Sequence, residues 1–227
     1  MLSGRFTPGQ SLNCNSTDSP YRSRLRVKLT VFLFFTLVTA PLVYAGSDQI
    51  STRIVRDDSD APSFEMATET AYMLGVIGNP NSYEIGGQFF TGRWRFGPVY
   101  REGFFRGYNQ FYALAMVEPI FRGPENFYYG VSVGLRYNFL HPESRFTPYV
   151  SGGVGLGWID SHANINGAQG QDFTFNCLAA LGVSYKINSK WKATGGVVYQ
   201  HLSNGGQTDP NPSLNLLGPQ IGVTYSY

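Results

Sequence analysis

The sequence predicts an all-β fold, an eight-stranded antiparallel transmembrane β-barrel of the outer membrane. Three observations carry this prediction. Apolar and polar residues alternate with a period of two in short segments, turn residues separate these segments at regular intervals, and the chain ends on aromatic residues that alternate with other residues. A periplasmic β-sandwich, whose aromatic residues would form its core, is the alternative fold. Export, alternation and the aromatic end together favour the barrel.

The first element, residues 1–45, is predicted to be a secretory signal peptide. Basic residues precede an apolar run from Leu29 to Ala40, and Val43-Tyr44-Ala45 supplies small residues for cleavage before Gly46. The alternative is an uncleaved membrane anchor. The apolar run is short for a membrane span and Pro41 follows it, which favours the signal peptide.

The next element, residues 46–64, is polar and acidic, and we expect it to be a flexible periplasmic lead. Cleavage also changes the charge of the chain. Five of the 17 Lys and Arg residues and one of the 15 Asp and Glu residues lie in residues 1–45, so the mature chain has a net charge of −2. The formal charge of +2 on the whole chain belongs to the targeting segment, and it does not indicate a nucleic-acid partner.

Residues 65–227 are predicted to form the barrel, because eight segments within them have the pattern of strands. In the fourth segment, Tyr129 and Val131 share one face while Ser132 and Gly134 share the other. Turn residues bound each segment. In chain order, the predicted strands are residues 66–77, 82–95, 107–119, 127–139, 147–159, 172–186, 191–203 and 214–227.

The connections between these strands predict how the barrel is oriented. Both ends of an outer-membrane barrel lie on the periplasmic side, where turns are short, and the loops on the other side are longer. The even-numbered connections should therefore be short, as residues 141–144 and 187–190 are, whereas residues 96–106 are longer than expected. The odd-numbered connections 160–171 and 204–213 are rich in loop-forming residues. The outer end of strand seven would then lie at the level of the outer leaflet.

The last strand ends in alternating aromatic residues, Tyr225 and Tyr227. This end resembles the C-terminal signal that outer-membrane barrels offer to their assembly machinery, so that machinery is an expected partner. Further aromatic residues suit the interfacial girdles of such a barrel. They are Trp94, Tyr128, Tyr129, Trp158 and Trp191.

Strand seven carries the most informative motif of the chain. His201 and Ser203 are two residues apart, so their side chains point to the same face of a strand. A serine hydroxyl beside an imidazole is the minimum set for acyl transfer, in which the imidazole takes the proton as the serine attacks. Gly205 and Gly206 follow, and they can turn the backbone so that N–H groups face a developing oxyanion.

Further residues around this pair carry a family resemblance. His201-Leu202-Ser203-Asn204 is a His-x-Ser-Asn motif, and Gly206, Pro210 and Asn211 follow it at fixed spacings. With Thr147-Pro148-Tyr149-Val150 in the fifth strand, the pattern resembles the lipid A 3-O-deacylases of the PagL type, also called acyloxyacyl hydrolases. The members of that family are eight-stranded outer-membrane barrels.

The resemblance implies a mechanism and the residues that perform it. Ser203 would be the nucleophile and His201 the general base, with backbone N–H groups around Asn204 and Gly206 as the oxyanion hole. The best-known members of the family have a glutamate twelve residues after the serine, which orients the imidazole, and here this position is Asn215. An amide oxygen can also fix the histidine tautomer, but it lacks the charge that stabilises imidazolium. We therefore expect a slower enzyme or a changed partner for the histidine.

The function that the resemblance implies is that of an outer-membrane serine esterase, which releases the 3-O-linked hydroxyacyl chain from lipid A. Lipid A, or lipopolysaccharide, in the outer leaflet is then the expected partner. Asp209 is an alternative acid for the histidine. No group of Cys, His, Asp and Glu residues has the spacing of a metal site, so neither a metal nor a cofactor is expected.

Two other functions stay open, namely a non-catalytic structural or adhesive barrel and a phospholipid acyl hydrolase. The position of Asn215 discriminates between enzyme and structural barrel, because a hydrogen bond from its amide oxygen to His201 favours the enzyme. The oligomeric state, a homodimer included, also stays open.

Overall fold

The computed structural model describes residues 61–77, 83–100, 104–141 and 143–227. Eight antiparallel strands follow one another around a closed barrel, and β1 pairs with β8 to close it. This confirms the predicted fold class. The strands are β1 (Phe64–Gly75), β2 (Glu84–Tyr100), β3 (Gly107–Arg122), β4 (Phe127–Phe139), β5 (Phe146–Ile159), β6 (Phe173–Lys186), β7 (Trp191–Ser203) and β8 (Leu214–Ser226).

β2 and β3 are each three residues longer than the alternation predicted, and β5 is one residue longer. β2 continues to Tyr100, which pairs with Gly107, so the connection expected to span residues 96–106 is shorter than predicted. The ladder between β2 and β3 is irregular between Phe96 and Tyr100, and Gly97 has a φ of 72° there. Such an irregularity disturbs the period of two, which is why the sequence pattern ended too early.

The two faces of the strands match the predicted alternation. On β4, Tyr129, Val131 and Val133 are exposed on the outside of the barrel, whereas Ser132 and Arg136 are buried inside it. Apolar side chains on the outer face and polar ones on the inner face are typical of a strand between lipid and lumen. Among the described residues, no helix is long and apolar enough to cross a membrane.

The interior is filled by a polar and an apolar layer. In the polar layer, Arg93 donates to both carboxylate oxygens of Glu69 at 2.9 Å, and Lys192 contacts Glu65. The cavity beside Arg93, near the apolar layer, has a volume of about 40 Å³, which leaves room for water but not for a lipid. The apolar layer contains Met73, Ile85, Met116, Ile120, Tyr128, Leu202, Leu214 and Leu216. The prediction that Tyr128 belongs to an interfacial girdle was therefore wrong, because its side chain is fully buried inside the barrel.

The odd-numbered connections share one end of the barrel, called the site end below, and both ends of the barrel's chain lie at the opposite end. At that opposite end, Ala61 is buried in a cluster with Tyr108 and Leu140. Residues 1–60 lie outside the described residues, so the signal peptide and most of the lead stay predictions. The direction in which the barrel crosses a membrane also stays a prediction.

Candidate active site

The candidate site lies on the outer face of the barrel, where β7 ends and β8 begins. His201 of β7 is paired directly with Asn215 of β8, and Ser203 is the last residue of β7. These three side chains are partly buried, whereas Gln200 and Leu202 point into the barrel and are fully buried. The period of the strand thus places the three predicted side chains on one outward face.

His201 and Asn215 are hydrogen-bonded to each other. The Nδ1 atom of His201 lies 2.8 Å from Oδ1 of Asn215. On its other side, the Asn215 amide donates from Nδ2 to the carbonyl oxygens of Ile77 at 3.0 Å and Ser213 at 3.2 Å. Because Nδ2 has two carbonyl acceptors, the amide nitrogen and oxygen are assigned by their partners. His201 must therefore donate from Nδ1, which in the neutral imidazole leaves Nε2 with the lone pair of a base.

Ser203 is bonded to the loop that follows it. Asn211 donates from Nδ2 to Oγ of Ser203 at 3.0 Å, and Oγ lies 3.3 Å from Oδ1 of the same amide. The backbone N–H of Gly205 also donates to Oγ, at 3.1 Å. Within the described part of the chain, no hydrogen bond joins Ser203 to His201. The structure thus brings His201 and Asn215 together, and places Ser203 on the same face with Asn211 as its partner.

The turn after Ser203 contains the two backbone groups that the sequence predicted for an oxyanion hole. The N–H of Asn204 donates to Oδ1 of Asn211 at 3.2 Å, and the N–H of Gly206 donates to Oδ1 of Asn204 at 2.9 Å. Both groups are therefore occupied by amide oxygens. Gly205 and Gly206 have φ angles of 68° and 72°, a conformation that glycine adopts without strain.

A neighbouring loop supports this turn. Residues 160–172 connect β5 to β6, and within them the N–H of Gly170 donates to the carbonyl oxygen of Pro210 at 2.7 Å. A β-carbon on Gly170 would lie only 2.6 Å from the backbone of Asp209. This close approach fixes the loop that carries Asn211 against the loop from β5.

The loop from β5 is itself held by a buried carboxylate. Glu125 is fully buried and accepts hydrogen bonds from the backbone N–H of Gln169 and from the Tyr83 hydroxyl, both at 2.7 Å. Burial, followed by the charge of Glu125, raises the pKa of Tyr83 above its usual value, so this hydroxyl stays a donor. Three connections at the site end are thereby joined.

The outer surface around the site is apolar. Phe175 of β6 is paired with Ser203 and Cys177 with His201, and both are exposed on the outer face. Leu217 of β8 is exposed on the other side of the site. An acyl chain could lie against this surface while its ester reaches the polar side chains.

Asp209, the alternative acid that the sequence suggested, and the loop histidine His162 lie elsewhere. Asp209 is exposed in its loop, and none of the contacts among the described residues joins it to His201. His162 lies 3.8 Å from Asp160 in the loop from β5. The described residues contain no group of three or more His, Cys, Asp and Glu side chains that could hold a metal ion.

Two residues at the site were missed as participants by the sequence analysis. Asn211 was noted only for its spacing, yet its amide holds Ser203 and the turn. Tyr199 donates from its hydroxyl to Oδ1 of Asn215 at 2.7 Å. The alternation of β7 could have placed Tyr199 beside His201, but its partner depends on the pairing of β7 with β8.

Comparisons with known proteins agree with this fold. A family model described as Lipid A 3-O-deacylase (PagL) matches residues 81–224. The crystal structure of the outer membrane enzyme PagL is similar, with a TM-score of 0.50 and 15% identity over 70% of this chain and 97% of that chain. The crystal structure of Neisserial surface protein A (NspA) has a TM-score of 0.54 and 14% identity over 73% and 97%. No curated protein matches the chain.

Proposed function

The chain belongs to the lipid A 3-O-deacylase (PagL) family, and on this premise we propose that it is an outer-membrane serine esterase that releases the 3-O-linked hydroxyacyl chain from lipid A. The observation that carries the proposal is the 2.8 Å contact of His201 Nδ1 with the Asn215 oxygen, because it leaves Nε2 as a base on the face that carries Ser203. This geometry also favours an enzyme over a structural barrel.

The proposed reaction starts at Ser203. Its Oγ exchanges the contact with Asn211 for one with Nε2 of His201, and such contacts often form only when substrate is bound. Oγ then attacks the ester carbonyl while His201 accepts its proton. The tetrahedral intermediate collapses as the bond between the acyl carbon and the 3-oxygen of lipid A breaks, and His201 returns the proton to this oxygen, which leaves as the 3-hydroxyl. A water molecule, activated by the same imidazole, hydrolyses the acyl-serine and frees the hydroxy acid.

Donors for the oxyanion are present next to the nucleophile. Asn211 Nδ2 and the N–H of Gly205 both lie within about 3 Å of Oγ. The N–H groups of Asn204 and Gly206, which the sequence suggested, would first have to release their amide acceptors. We therefore propose that Asn211 is the principal side-chain donor.

The proposed substrate approaches from the membrane and not through the barrel. The cavity beside Arg93 inside the barrel is far too small for a lipid, whereas Ser203 lies on the apolar outer face beside Phe175. If the site end faces outward, this position coincides with the outer leaflet, where lipid A resides. The signal peptide of residues 1–45 and recognition of β8 by the assembly machinery belong to the same proposal.

Mass spectrometry of lipid A tests this function. Cells that express the chain should lose one hydroxyacyl group from lipid A, and cells with a Ser203→Ala variant at equal outer-membrane level should not. A phospholipid analysis of the same cells is the matched readout for the alternative substrate. Unchanged lipid A and phospholipids in both strains, with both barrels folded, would contradict the esterase and support a structural barrel.

A further inference from the structure

The side-chain amide of Asn215 is surrounded by groups that distinguish its two ends. Its oxygen accepts from His201 Nδ1 at 2.8 Å and from the Tyr199 hydroxyl at 2.7 Å. Its nitrogen donates to the carbonyl oxygens of Ile77 and Ser213 at 3.0 and 3.2 Å. The two carbonyl oxygens can only accept hydrogen bonds, so an inverted amide would place its oxygen against both of them and lose both of these bonds.

This arrangement does not suit a carboxylate. With an aspartate at position 215, the second carboxylate oxygen would replace Nδ2 and lie close to the carbonyl oxygens of Ile77 and Ser213. Ionised carboxylates only accept hydrogen bonds, so both contacts would become repulsive. The surroundings therefore select a neutral amide, although a carboxylate would stabilise imidazolium better.

Tyr199 helps to fix the orientation of the Asn215 amide, because it binds the amide oxygen. It lies two residues before His201 on the same outward face of β7, and its hydroxyl fills the second lone pair of the Asn215 oxygen. With both lone pairs occupied, the amide cannot rotate toward another donor without breaking a bond. The hydroxyl thereby keeps the oxygen in the position that His201 needs.

We propose that Tyr199 is a positioning residue that acts through Asn215, and that this site is built around a neutral amide as the partner of His201. The inference rests on the proposed esterase function. Among the described residues, no hydrogen bond joins Tyr199 to Ser203 or His201, and its hydroxyl bonds to Asn215 instead, so its polar influence on the site passes through the amide.

Kinetics of purified barrels on lipid A in mixed micelles test both parts. Tyr199→Phe removes only the hydroxyl and should lower kcat/KM about threefold to tenfold, the worth of one hydrogen bond. In an Asn215→Ala background the same change should have less than about a twofold effect. Tyr185→Phe, on the outer face of β6, is the matched control and should leave kcat/KM unchanged.

A further variant tests whether the site prefers an amide to a carboxylate at position 215. Asn215→Asp should be about tenfold less active than the wild type near pH 8, where an aspartate is ionised, despite the negative charge it gains. Activity equal to or above that of the wild type would overturn the amide selection. An equal loss from Tyr199→Phe with and without Asn215 would overturn the positioning role.

A measurement without substrate separates this inference from the function. The chain has three histidines, so ¹⁵N NMR with His201→Gln for assignment can report the tautomer of His201. We expect the Nδ1–H form in the wild type, a shift toward Nε2–H in Asn215→Ala, and an intermediate mixture in Tyr199→Phe. Spectra of Tyr199→Phe identical to the wild type would overturn the positioning role. An inactive wild type with the expected tautomers would contradict only the esterase.

Discussion

Substitution of Asn211 separates the proposed catalytic role of its amide from its structural role. The nitrogen donates to Ser203 Oγ at 3.0 Å, whereas the oxygen accepts the backbone N–H of Asn204 at 3.2 Å. Asn211→Asp keeps the acceptor and removes the donor. Asn211→Ala removes both. The two variants should therefore differ in the stability of the loop but agree in the loss of catalysis.

The expected magnitudes follow from these contacts. In an acyl transfer the oxyanion develops on the carbonyl oxygen, which is bonded to the carbon that Oγ attacks, so a donor 3.0 Å from Oγ is close enough to serve it. Removal of one such donor typically lowers kcat about 10²-fold to 10³-fold. Asn211→Ala additionally leaves the N–H of Asn204 without its acceptor, which costs about 1–3 kcal/mol of loop stability.

The assay is steady-state hydrolysis of lipid A in mixed micelles, together with limited proteolysis of the loop. Both variants should lose kcat with little change in KM, and only Asn211→Ala should be cut faster in residues 204–213. Asn164→Ala, an exposed amide in the loop from β5, is the control and should behave as the wild type. If Asn211→Asp kept kcat within about threefold of the wild type, the oxyanion role of the amide would be refuted.

Two further predictions concern the backbone and the pH dependence of the site end. Gly206→Ala places a β-carbon on a residue with a φ of 72°, so it should lower the free energy of unfolding by about 1 kcal/mol and reduce activity. The control is Gly195→Ala, whose β-carbon meets no atom within 4 Å. This variant should unfold in urea as the wild type does. The raised pKa of Tyr83 means that its stabilising contribution is complete below about pH 10 and is lost as the pH rises further. When the spectrophotometric titration of Tyr83→Phe is subtracted from that of the wild type, the difference should accordingly show no phenol that ionises near pH 10. A phenol that ionises near pH 10 in that difference would contradict the argument about Tyr83. A Gly195→Ala barrel less stable than the wild type would contradict the argument about the backbone.

The strands could be predicted from the sequence because their signals are local. Alternation in β4 and the turn residues around β7 depend only on neighbouring residues, and the predicted bounds of both strands equal the observed ones. The predicted end of β2 was wrong because the irregularity after Phe96 breaks the alternation of side chains with a period of two. Such an irregularity depends on the register with β3, which the sequence of β2 alone does not contain.

The candidate site could be predicted only in part, for a similar reason. The shared face of His201 and Ser203 follows from their spacing, and the structure has it. The contact of Ser203 with Asn211 instead depends on the turn at Gly205 and Gly206 and on the packing of a second loop. Loop conformations arise from contacts that are distant in sequence, so this partner could not be derived from the motif.

The position of the polar cluster gives an independent argument for chemistry. Tyr199, His201, Ser203 and Asn215 lie on the outer face of a barrel whose other outward residues there, such as Leu217, are apolar. Polar groups that face lipid must form hydrogen bonds within the protein. Apolar side chains can face lipid without any such hydrogen bonds. The cluster therefore offers the barrel little stability that leucine or valine would not. The free-energy cost of placing polar side chains on the outer face is smallest at the ends of the strands, near the membrane interface. The proposed reaction, which needs a base held in one tautomer on the face that carries the serine, accounts for the cluster where packing does not.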